Sequence, residues 1–306
     1  MEADFIAWLR DRLPPHPLLR LGLGDDAALL AVGDTREMVL TVDLISDHVD
    51  FDLSRDEPRR IGRKALAVNL SDLAAMAARP WAGVVSLLLP REGAGKLAVE
   101  LYEGMIPLAE KYGLLIAGGD TNTWPGSLAI SITLIGRLSE RGPLTRRGAR
   151  PGDRLLVTGQ FGGSILGKHF DFTPRVEEAT QLHAHYTLHA GMDVSDGLTL
   201  DLARLCDESG VGAVIDLAAV PIAADARRLA TERADGVSPL DHALGDGEDF
   251  ELLLTAPIAE AQRMLNDQPL SAPLTDIGEI IAEPGLWARS DRGREPITPQ
   301  GWLHEG

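Results

Sequence analysis

Residues 58 to 78 read PRRIGRKALAVNLSDLAAMAA, from Pro58 to Ala78, and the fold turns on this stretch. It is rich in Ala and Leu, with Pro58 near its start and Pro80 just past its end, which predicts a bounded helix. Asn69 and Asp72 lie three residues apart and share one face of it. An acid in so apolar a helix needs a partner, and a metal ion is one candidate.

On either side, Glu37–Asp43 and Gly113–Asp120 are short apolar runs ending in an aspartate, and each predicts a buried strand with a carboxylate just beyond it. Ser127–Gly136 alternates small polar and apolar residues, which predicts a strand with one packed face and one face open to a partner sheet. The segment from Gly142 to Gly152 is rich in Pro, Gly and Arg, and a new apolar strand starts at Leu155. These signals place a domain boundary near residues 140 to 150, between an N-terminal α/β unit (1–140) and a C-terminal α+β unit (141–306). In the second unit Met192-Asp193-Val194 ends a strand, Ser195-Asp196 can cap the helix that follows, and Gly210 stops it. The single cysteine, Cys206, sits in that apolar stretch and reads as a buried structural thiol.

Seven aspartates fall in short motifs spread along the chain: Asp25 and Asp26, Asp43, Asp72, Asp120, and Asp193 with Asp196. Carboxylates that converge from several elements repel one another and raise each other's pKa, so cations between them are expected at neutral pH. Hard oxygen donors suit magnesium, which normally brings phosphates with it. A chain of 306 residues with 44% hydrophobic content can bury a sizeable core, and a net charge of -17 has the wrong sign for nucleic acid or an anionic membrane surface. Nucleotide binding stays open, because bridging magnesium can reverse the local field. No run of about 18 apolar residues occurs, and Met1–Phe5 lacks the pattern of a secretion signal, so a soluble cytoplasmic protein is expected.

Six motifs in order, Gly24-Asp25-Asp26-Ala27-Ala28, Asn69-Leu70-Ser71-Asp72-Leu73-Ala74-Ala75-Met76, Gly118-Gly119-Asp120-Thr121, Leu144-Thr145-Arg146, Asp193-Val194-Ser195-Asp196-Gly197-Leu198 and Gly247-Glu248-Asp249-Phe250-Glu251-Leu252, resemble those of the thiamine-monophosphate kinases. The resemblance runs from about residue 20 to 303. It implies the two-domain fold of the aminoimidazole-ribonucleotide-synthetase type, with an N-terminal sheet that pairs across a homodimer and a C-terminal domain that closes the cleft. It also implies ATP- and magnesium-dependent phosphorylation of thiamine monophosphate. Carried over, Asp26, Thr41, Asp43, Asp72, Asp120, Asp193 and Asp196 are expected to hold several magnesium ions, some through a bridging nucleotide. Asp26, Tyr102, Gly119, Asp120, Arg146 and Ser195 are expected to contact ATP, with Arg146 and Asp196 as catalytic residues. Glu248 and Trp302 stand where the family contacts the thiamine moiety.

Asp50 stands where the family usually has a substrate-associated histidine, and Val42 where it commonly has Thr. If the acceptor is a phosphate monoester, its oxygen is already ionised near neutral pH, and in-line attack on ATP needs no strong general base. The glycine-rich stretch Gly159–Ser164 lacks the Gly-Lys-Ser/Thr end of a P-loop. Local alternatives stand beside these roles: Asp25-Asp26 as a simple turn, Asp196 as a helix cap, Arg146 as part of a solvated cluster with Arg147 and Arg150, and Trp302 as packing for the last segment. His183, His185 and His189 have metal-like spacing but read as surface histidines. At the level of function, the alternatives are an ATP-dependent synthetase or kinase acting on another small acceptor, and a noncatalytic nucleotide-binding homologue.

Overall fold

The computed structural model describes residues 17–21, 25–32, 36–290 and 293–303; Met1–Phe5 and Gly24, quoted above, lie outside them. Six strands form the first sheet: β1 (Leu19–Leu21), β2 (Ala28–Val32), β3 (Arg36–Ser46), β4 (Arg79–Pro90), β5 (Leu115–Trp124) and β6 (Ala129–Arg137). Their order is β1-β2-β3-β6-β4-β5, antiparallel throughout except for the parallel pair β4 and β5. Helices α1 (Pro58–Ala75) and α2 (Ala94–Lys111) belong to the same half of the chain. The alternation expected around β6 holds: Ile130, Ile132 and Leu134 are buried, and the residues between them face the uncovered side.

Helix α1 starts at Pro58, as the sequence predicts, and ends at Ala75, three residues short of the expected Ala78, because β4 begins at Arg79. Most of its side chains are buried, since the sheet, α2 and the C-terminal half all pack on it. Gly62 and Gly104 mark the crossing of α1 and α2, where an added Cβ would lie 2.0 Å from the Leu101 carbonyl oxygen or 1.8 Å from that of Arg59. Only a residue without a side chain lets the two backbones approach so closely.

Two strand expectations need correction. Strand β3 runs on to Ser46, so Asp43 sits within it rather than beyond it. Strand β5 is not buried: among the described residues it is the last strand of its sheet, pairs only with β4, and is exposed along nearly its whole length, with Asp120 in its middle. Its apolar start reads like that of a buried strand, but a sequence run carries no count of lateral neighbours.

The second sheet has the order β13-β12-β9-β11-β7-β10-β8. Its strands are β7 (Arg154–Thr158), β8 (Ala190–Asp193), β9 (Gly212–Ile215), β10 (Leu252–Ala256), β11 (Leu274–Ile281), β12 (Gly285–Ser290) and β13 (Gly293–Ile297). The helices of this half are α3 (Lys168–Asp171), α4 (Val176–His185), α5 (Leu198–Ser209), α6 (Ala224–Arg233), α7 (Pro239–Gly245) and α8 (Ile258–Asp267). Strands β7, β8 and β10 are buried on both faces, which explains their continuous apolar runs. Leu155, Val157 and Leu253 join a core with α5, whereas Leu156, Leu252 and Leu254 join the core that continues through α1 into the first sheet. A cleft lies between these halves, with α1 along its floor.

Candidate active site

Three distant segments bring carboxylates together. Asp26 precedes β2, Asp72 is in the last turn of α1 and Asp193 ends β8, and each offers an oxygen within 4.8 Å of the others. Thr41 on β3 donates its hydroxyl to Asp72, and Ser71 donates to Asp193 at 2.5 Å. The Asp43 N–H donates to Asn69 at 3.1 Å, so Asn69 and Asp72 do share one face, turned towards β3. Arg146 closes the cluster. Its Nη2 and Nε donate to the two oxygens of Asp26 at 2.7 and 3.2 Å, and its backbone N–H donates to Asp25 at 3.1 Å. At 17% side-chain exposure it is not part of a solvated patch with Arg147 and Arg150.

From this cluster a cavity of about 560 Å³ extends between the halves, lined by Asp43, Asp72, Asp193, Ser195 and Asp196 at one end and by Asp50, Glu248 and Trp302 elsewhere. The loop carrying Ser195 and Asp196 is held by a device the sequence reading missed. Neither residue caps α5; instead Asp201, in the first turn of α5, accepts the N–H groups of Ser195, Asp196 and Gly197 at 3.0, 2.9 and 3.2 Å. Asp196 is thereby left to project towards the cavity, where Arg204 donates to it and, at 2.8 Å, to Asp201. Helix α5 does stop at Gly210, in the left-handed region, and Cys206 is buried within it, as expected.

Elsewhere on the cavity wall the Asp50 carboxylate accepts the Ser46 N–H at 2.7 Å, while Glu248 pairs at 2.5 Å with Lys64, a fully buried lysine of α1. Lys64 escaped the sequence reading. Its signal was the spacing Lys64, Val68, Asp72, four residues apart, which lines one face of the helix. The Trp302 N–H donates to the Asp196 carbonyl at 2.8 Å, tying the last described segment to the acidic loop.

Three expected site residues stand apart. Asp120 falls in the cross-strand row Leu44, Ser131, Ser86, Asp120, and Leu44 is exposed on the face opposite Asp43. Three strand spacings also put roughly 14 Å between β3 and β5. Within one chain Asp120 and the adjacent Gly119 therefore do not join the cluster. Tyr102 on α2 is half-buried against the N-terminal core, outside the cavity lining. Among the histidines the surface reading fails for His183, which is buried with its Nε2 3.1 Å from the Gly142 carbonyl, and His189, half-buried, contacts Asp153 at 2.9 Å; His185 is exposed.

Comparison with known proteins follows the same outline. The AIR synthase related protein N-terminal domain matches residues 24–138, and the corresponding C-terminal domain matches residues 150–289. The thiamine-monophosphate kinase of Rhodopirellula baltica is 42% identical over 99% of this chain and 97% of its own length. That of Escherichia coli K12 is 34% identical over 97% of this chain and 95% of its own. A solved structure described as AaThiL complexed with AMPPCP and TMP superposes with a TM-score of 0.83, at 26% identity over 99% of this chain and 96% of that one.

The cluster is electrostatically loaded. Burial, then repulsion from Asp43 and Asp193, holds Asp72 well above the ordinary carboxylate range, and burial with repulsion from Asp26 does the same to Asp193. Asp43 is pushed up to about 6 by burial and the Asp50 charge, and Asp25 to about 7 by burial and Asp26. Burial opposes the charge on Arg146, but Asp26 outweighs it and keeps the guanidinium protonated. For Asp43 the folded value lies above the unfolded 3.8, so its native form retains a proton that the unfolded chain has lost, and its contribution to stability falls as pH rises from about 4 to about 6. In metal-free protein, Asp43→Asn is expected to raise the thermal midpoint at pH 8 and leave it nearly unchanged at pH 4, as calorimetry checks. An equal shift at both pH values would assign the effect to packing.

Proposed function

The chain belongs to the thiamine-monophosphate kinase family, and we propose that its cleft transfers the γ-phosphate of ATP to the phosphate of thiamine monophosphate, giving thiamine diphosphate and ADP. The observation that carries this reading is the meeting of Asp26, Asp72 and Asp193 within 4.8 Å beside a cavity of about 560 Å³ between the two halves. The donor set fits magnesium: the ligands are hard oxygens, and Asp72 and Asp193 are too crowded to ionise readily without a cation. Asp26, Thr41, Asp43, Asp72, Asp193 and Asp196 would hold more than one ion. When bound, magnesium supplies charge neutralisation between the two phosphorylated ligands and polarises the transferring group.

The chain's own residues do the rest by position. Arg146 rests on Asp26, and its planar fork of N–H donors matches a phosphate as well as a carboxylate, so it is suited to neutralise a phosphate oxygen of ATP. Ser195 and Asp196 are held towards the same end by Asp201 and Arg204. Asp50, Glu248 and Trp302 line the acceptor end. The ionised acceptor oxygen attacks the γ-phosphorus in line; as that P–O bond forms, the bond to the bridging oxygen breaks and ADP leaves with its electron pair. No side chain has to remove a proton.

The same reading includes a homodimer, a cytoplasmic location beside its ATP pool, and the division into units 1–140 and 141–306. The outer face of the first sheet exposes Val42 (60%), Leu44 (66%) and Val84 (43%), an apolar surface of the kind a second copy would cover. Asp120 and Gly119 lie on or beside that face, so any contact they make with nucleotide is exerted across the dimer. Val84→Asp is expected to yield monomers in sedimentation velocity and to lower turnover; a dimer of unchanged strength would remove this face from the interface.

Phosphorus NMR with ATP, magnesium and thiamine monophosphate tests the reaction itself. Thiamine diphosphate and ADP are expected in equal amounts, with no transfer when the metal is omitted, and Asp72→Asn is expected to lower kcat by about a hundredfold or more. Transfer to another small acceptor only, or ATP binding without any transfer, would favour the synthetase or the noncatalytic reading instead.

A further inference from the structure

Lys64 is the most deeply buried charged side chain at the cavity, with 1% of its side chain exposed. An ammonium has three N–H donors, and three acceptors surround this one: Glu248 Oε1 at 2.5 Å, the Asp50 carbonyl at 2.7 Å and His169 Nδ1 at 3.1 Å. The same Nδ1 lies 3.5 Å from Glu248 Oε2, so His169 faces both members of the pair. Lys64 itself is on α1, and these partners come from the turn after β3, from α3 and from the loop after α7. Lys64 thus fastens the two halves of the molecule at the wall of the cavity, about 12 Å along α1 from Asp72.

Glu248 is the partner that faces the cavity. Its backbone takes a positive φ of 54°, uncommon for a residue with a side chain, and its N–H donates to the Ser195 carbonyl at 2.6 Å. Both of its oxygens meet this pair, Oε1 on Lys64 and Oε2 3.5 Å from His169 Nδ1, while its side chain remains 34% exposed along the cavity. An ionised carboxylate only accepts hydrogen bonds. Thiamine monophosphate carries one neutral N–H donor group, the exocyclic amine of its pyrimidine, at the end remote from the phosphate.

We propose that Lys64, backed by His169, is the positioning residue that fixes Glu248 so that its carboxylate accepts this amine, and that the trio selects acceptors bearing an N–H donor there. Lys64 touches neither phosphate nor nucleotide. It holds the charge and direction of Glu248, and through the Ser195 carbonyl it sets the span between the amine-binding and phosphate-binding ends. The inference rests on the phosphotransfer reading above.

Steady-state kinetics with thiamine monophosphate and with its analogue carrying a keto group in place of the amine provide the test. Lys64→Met leaves a carboxylate without its buried partner, so the double variant Lys64→Met/Glu248→Gln, which removes both charges, guards against a folding failure. Both variants are expected to raise KM for thiamine monophosphate by about tenfold or more with KM for ATP unchanged, and to erase the preference for the amine over the keto analogue. His169→Leu is expected to lie between wild type and these, and His169→Gln, which can still accept from Lys64, to restore the preference. A folded double variant with the wild-type preference, or a parallel rise in KM for ATP, would overturn the role of Lys64 while leaving the kinase reading intact. Wild-type protein inactive on both acceptors would overturn both together.

Discussion

The carboxylates of Asp26, Asp72 and Asp193, drawn within 4.8 Å of one another, repel by about 3 to 4 kcal/mol for each ionised pair at the effective dielectric of a protein site. No folded chain gathers such groups without something to offset them. In this structure part of the offset comes from Arg146 on Asp26, from the Thr41 and Ser71 hydroxyls, and from protons retained by Asp72 and Asp193. Each of these is exchangeable. The arginine can pair with a phosphate and the protons can yield to cations, so the arrangement is held in readiness for a metal-bound anion rather than optimised for stability alone.

Helix α1 turns that local tension into a two-ended site. Lys64 and Asp72 are eight residues apart, about 12 Å along one helical face, and both line the cavity. The first sheet and the C-terminal half both pack on this helix, and Gly62 lets α2 lock it from a third side. The distance between the acceptor's two ends is therefore set by a rigid element, while the loops bearing Asp196 and Glu248 are pinned to one another through the Ser195 carbonyl. Transfer between two bound anions depends on such fixed spacing, because there is little for an acid or base to do.

Much of this was legible in the sequence. The composition and proline start of α1 and the alternation of β6 depend on near neighbours, and each matches the structure. What was illegible depends on distant partners. Arg146 and Asp26 are separated by 120 residues, and a polar linker offers no hint that one of its arginines is drawn inside. Lys64 meets His169 across 105 residues, so its burial could not be read from a helix that otherwise looks like plain core. Strand β5 looked buried because its first residues are apolar, yet its place at the sheet edge is a property of topology. Asp201 was passed over because it caps its loop from inside the helix, where a conventional cap is not sought.

The most direct measurement is anomalous diffraction from crystals grown with manganese and a nonhydrolysable ATP analogue, manganese standing in for magnesium. A metal peak bounded by Asp26, Asp72 and Asp193, with Arg146 moved from Asp26 onto a phosphate, is the predicted result. Nucleotide bound with the Arg146–Asp26 pair intact and no metal among the three carboxylates would contradict the account at its centre.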